Sequence, residues 1–137
     1  MKPQTELDAI ALLHDTSHTT IEREAAVHYL AESRSPASIE ALVRALLDQE
    51  FSIRWSAATA LSYAGDEALA PVLHTLVSYG TSSTLREVAH HALSQNVSPQ
   101  ARAQVEPVLA AMKGPAADIA TPQAAFRALR ELEAGAP

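Results

Sequence analysis

Apolar positions along this chain recur every three or four residues in blocks, and the blocks themselves recur. Residues 53–61 (IRWSAATAL) put Ile53, Ala57 and Leu61 on one helical face. Residues 85–93 (LREVAHHAL) put Leu85, Ala89 and Leu93 on the same face 32 residues later. The same step backwards from Ile53 lands on Ile21, followed by Ala25 and Tyr29 at matching offsets. A fixed period of this length predicts stacked supersecondary units, none of which can bury its apolar face alone.

Helix-start signals keep the same beat. Ser35-Pro36 and Ser98-Pro99 read as an N-cap followed by proline at the first helical position, where the missing N–H is harmless. Asp66, following the helix stop Gly65, reads as the cap between them, so the three caps are spaced 31 and 32 residues apart. The pattern predicts first helices over about 20–33, 52–64 and 83–95, and second helices over about 36–48, 67–79 and 99–112. Thr19 and Glu22 have capping-box spacing at the first of these starts. A helix at about 5–14 serves as an N-terminal cap, 116–120 reads as a linker, and Thr121-Pro122 opens a last helix with Ala125, Phe126, Leu129 and Leu132 on one side. The predicted fold is all-α: an α-α superhelix of three hairpins over 1–113 (units about 20–50, 51–82 and 83–112), then a linker and C-terminal helix over 114–137.

Residues 53–76 (IRWSAATALSYAGDEALAPVLHTL) resemble the HEAT-like repeat shared by phycobilin lyase subunits and many bacterial adaptor proteins. The resemblance rests on an apolar residue followed by Arg54, the alanine pair, the Gly65-Asp66 turn and a second amphipathic helix. The third unit keeps Leu85-Arg86 but has Asn96-Val97-Ser98 at the turn, and in the first Glu22 takes the place of the arginine. The resemblance implies a HEAT-type scaffold. It also implies an inter-repeat pair of Asp48 with Arg54, present once because Gly80 precedes Arg86 by the same six residues.

Composition narrows the function. Ala and Leu dominate the apolar residues and glycine is scarce, which favours close helix packing over a sheet. The net charge is −6, of which residues 1–50 carry about −5; ten basic residues with no basic run argue against nucleic acid as a partner. With no cysteine and no apolar run of membrane-spanning length, the expectation is a cytoplasmic protein without disulfides.

Catalysis finds no footing. There is no cysteine nucleophile, Gly-x-Ser-x-Gly elbow or phosphate-cradling glycine loop. His90 and His91 are adjacent and point about 100° apart on a helix. His14 and His18 have metal-pair spacing but fall where the first helix ends, so no metal and no cofactor is expected. Trp55 is expected to pack over the neighbouring unit or its loop. The expected function is a non-catalytic scaffold binding a polypeptide on the concave layer of second helices, through Glu40, Arg44, His74, Thr75 and Glu106. The chain is expected to be a monomer, or a weak homodimer through its last helix. The alternative, which the resemblance implies, is a chromophore-handling subunit of a lyase-like heteromer.

Overall fold

A computed structural model describes residues 2–135, and all regular structure among them is helical. The helices are α1 (Glu6–His14), α2 (Thr20–Ser33), α3 (Pro36–Ala45), α4 (Phe51–Ser62), α5 (Leu69–Tyr79), α6 (Ser83–Ser94), α7 (Pro99–Gln104), α8 (Glu106–Lys113) and α9 (Ala117–Ala134), with a 3-10 turn over Gly65–Ala68. Met1 and residues 136 and 137, the outermost parts of the two expected segments, lie outside the described residues.

The caps act as the sequence predicts in three of four places. Ser35 accepts the N–H of Ser38, and Ser98 that of Ala101. Thr19 and Glu22 exchange backbone and side-chain bonds in a complete capping box. The exception is Asp66. Gly65 does turn the chain in the left-handed region at φ 69°, but a 3-10 turn follows and α5 begins at Leu69 with no side-chain cap. The third hairpin's second helix is also broken, at Val105, because Pro107 has no N–H to offer and its ring crowds the preceding turn. The expected linker 116–120 is helical instead: α9 starts at Ala117 and carries Pro122 inside its first turns.

The capping box has a pH signature. The Thr19 N–H and then its hydroxyl hold the Glu22 carboxyl at about 2, below its ordinary 4.5. A depressed carboxyl stabilises the fold above its ordinary value and stops doing so as pH falls through the folded one. Thermal melts should therefore drop more steeply between pH 4.5 and about 2 in the native chain than in Glu22→Gln. Parallel acid limbs would show that Glu22 is not the titrating group.

The helices form two layers. In one, α4 packs between α2 and α6; in the other, α3 packs against α5; and α1 covers both helices of the first hairpin. Ile53, Ala57 and Leu61 are buried, as are Leu85, Ala89 and Leu93. The first unit is out of phase with this expectation. Ile21 is 81% exposed, and the buried face of α2 is Arg23, Ala26, Val27 and Leu30. The first step is 31 residues, so Arg23, and not Glu22, takes the place of Arg54.

The polar connections between units also differ from the expected pair. The Asp48 carboxylate grips Arg23, while Arg54 donates to the main-chain carbonyls of Asp48 (2.9 Å) and Gln49 (3.0 Å). Arg86 repeats that grip on the carbonyls of Gly80 and Thr81, both at 2.9 Å. The device reads backbone, not side chain, so Gly80 does not interrupt it. Both arginines satisfy carbonyls left over where the preceding helix ends.

Candidate functional site

The second-helix layer carries the polar residues singled out from the sequence. Glu40 and Arg44 sit one turn apart on α3, both exposed, and among the described residues neither side chain takes part in a hydrogen bond or ion pair. Arg44 faces the end of α1 closely enough that its charge adds to burial in pushing the His14 pKa down. His74 is exposed on α5. Thr75 is half-buried and donates its hydroxyl to the Pro71 carbonyl at 3.1 Å. Glu106 is exposed at the first residue of α8, where a carboxylate complements the helix dipole. Glu40 and Arg44 thus share one open face, and His74 lies on the neighbouring helix. Thr75 turns its hydroxyl back onto its own helix.

What the sequence did not reveal is the position of α9. The last helix packs along α5 and α8, and its interface with α5 is among the most extensive helix–helix contacts of the described residues. It runs antiparallel to α5: Pro122 meets Gly80, and residues 126–133 reach His74 and Val77. Small residues allow the approach, since the buried side of α9 is Thr121, Ala125, Ala128 and Leu129. Phe126, expected in the buried stripe, is 49% exposed with the Arg130 guanidinium 5.8 Å over its ring. The result is a groove of about 490 Å³ between α5 and α9, lined by His74, Val77, Phe126, Leu129, Arg130 and Glu133. Only the docking of α9, not local periodicity, creates it.

On the opposite layer, Trp55 does pack over the neighbouring unit. Its indole stacks on His91 of α6 at 3.9 Å and 14°, and on Phe51 at 5.7 Å and 28°. Burial holds His91 below the ordinary histidine range, so the ring is neutral near pH 7; its Nε2 lies 3.0 Å from the Thr59 hydroxyl. Phe51 and Trp55 nevertheless stay 50% and 40% exposed.

His18 lies 3.5 Å from the carboxylates of Asp15 and Glu22, beyond the end of α1. No helix among the described residues is long and apolar enough to cross a membrane.

No curated protein and no solved structure matches the chain. A family model for HEAT repeats matches residues 8–94, well over half of the 137 residues, and spans α1 through α6. Helical hairpins in two layers, arginines gripping the inter-repeat carbonyls and this match together place the chain in the HEAT-repeat family.

Proposed function

We propose that this protein is a non-catalytic interaction module that docks a polypeptide on its second-helix layer. The observation that carries the reading is the unpaired Glu40–Arg44 face of α3, packed beside α5, whose far side opens into the groove walled by half-exposed Phe126. An aromatic ring beside an open cleft is the anchor type that dominates interface energies, and unpaired charges of both signs next to it set register and partner choice. Thr75 and Glu106 are assigned a flanking role, contributing shape and charge at the borders of the strip. The acidic first third of the chain raises the encounter rate with basic partners.

The test starts from a partner captured by cross-linking and identified by mass spectrometry. Glu40→Ala with Arg44→Ala should weaken its binding at least about tenfold, ~1.4 kcal/mol, without moving the melt. Phe126→Ala should do the same. Unchanged affinity in both variants would remove the second-helix layer as the docking surface.

A further inference from the structure

The first-helix layer carries a second surface, separate from the one just described. The Thr20 hydroxyl bonds Glu50, tying the start of α2 to the start of α4, and the Thr59–His91 contact fixes α4 against α6. The repeat steps of 31 and 32 residues make Glu24 of α2, Trp55 of α4 and Glu87 of α6 equivalent positions, one on each of three helices that pack side by side, and equivalent positions on such helices line up across the layer. The row is a carboxylate, an exposed indole beside exposed Phe51, and a second carboxylate. Among the described residues neither Glu24 nor Glu87 has a hydrogen bond or ion pair. Arg54 and Arg86 donate to main-chain carbonyls, the Arg54 guanidinium standing 5.6 Å over the Phe51 ring, and Lys113, which shares a recess with Glu87, forms no ion pair with it.

We propose that this row binds an extended peptide segment that crosses the helices with a basic side chain at each end and an apolar one between. The charges decide the class of partner: two unpaired carboxylates flank the partly exposed rings of Trp55 and Phe51, which suits lysine or arginine on both sides of a hydrophobic anchor. The spacing decides its length. Neighbouring helices lie about 8–10 Å apart, so the two carboxylates are about 20 Å apart, and an extended chain rising about 3.3 Å per residue spans that in about six residues. The surface does not use Glu40, Arg44 or the α5–α9 groove, so it stands or falls without the second-helix site.

The chain's single tryptophan makes the test direct. The probe is a synthetic peptide, Arg-Gly-Ser-Leu-Ser-Gly-Arg, titrated into the full chain while Trp55 fluorescence and the indole N–H NMR resonance are followed. A saturable change is expected below about 1 mM, the limit of useful weak binding, and it should weaken with added salt. Glu24→Gln and Glu87→Gln should each raise the dissociation constant at least fivefold, and both variants should melt like the native chain. The peptide with glutamate at both ends should not bind. No saturable response to the basic peptide, an equal response to the acidic one, or less than a fivefold loss in either variant would overturn the proposal.

Discussion

Arg23→Ala is expected to cost about 3–5 kcal/mol in urea melts, the range for removing one partner of a buried ion pair and leaving the other charge uncompensated. Arg23 is 1% exposed, the most enclosed charged side chain among the described residues. Its Nε donates to the Leu13 carbonyl at 2.9 Å, at the end of α1, and its two terminal nitrogens straddle the Asp48 carboxylate beyond the end of α3. The Glu50 carboxylate stands 3.5 Å away, and Asp48 itself accepts the Glu50 N–H at 2.9 Å. One guanidinium therefore joins α1, α2 and the turn that leads into α4. Removing it leaves a nearly buried carboxylate facing a carbonyl that has lost its donor, and the two losses add. Arg54→Ala is the internal control. Its bonds go to main-chain carbonyls at a partly exposed edge, so the loss should stay under about 1.5 kcal/mol. Equal costs for the two arginines would mean that Asp48 is solvated enough to stand alone.

The contrast between those arginines shows how the sequence could be read and where it could not. The second and third units were legible because Ile53 and Leu85, Ala57 and Ala89, Leu61 and Leu93 hold matched apolar types in matched positions, and all six are buried. The first unit slipped by one residue because alanines stand at both 25 and 26, so size and polarity fit either register. A one-residue shift turns a helix by about 100°, enough to carry Ile21 from the core to solvent. Arg23 compounded the slip: a charge on a buried face counts against that face until its partner Asp48, 25 residues away, is known. The same distinction separates the two halves of the candidate surface. Glu40 and Arg44 were readable as polar positions on one side of α3. The groove at His74 was not, because it requires α9 to lie on α5, and the alanines of α9 leave more than one side able to pack.

Ending the chain after Lys113 is expected to lower the melting temperature and to promote self-association. The family match stops at residue 94, and α9 supplies what the last repeats lack: a cover for α5 and α8. The contact is close. A Cβ on Gly80 would stand 2.3 Å from the Leu76 carbonyl oxygen of its own helix and 3.0 Å from Cγ of Pro122, so glycine is required where α5 ends and a side chain there would also crowd α9. Leu129, 6% exposed, is the largest of the α9 side chains buried in this interface, and Leu129→Ala should cost about 2–4 kcal/mol through lost contact and a cavity that the small neighbours Ala125 and Ala128 cannot fill. Truncation removes that contribution together with Ala125 and Ala128, and it leaves apolar surface of α5 and α8 open to water. An apolar face opened in this way recruits other copies through it. Sedimentation should therefore show concentration-dependent association of the truncated chain at protein levels where the full chain stays monomeric. The Leu129→Ala variant, which keeps its cover but holds it less tightly, should melt early and remain a monomer. A truncated chain that melts with the full one and sediments as a single small species would mean that α9 contributes nothing to the fold and that the second-helix layer is open along its whole length.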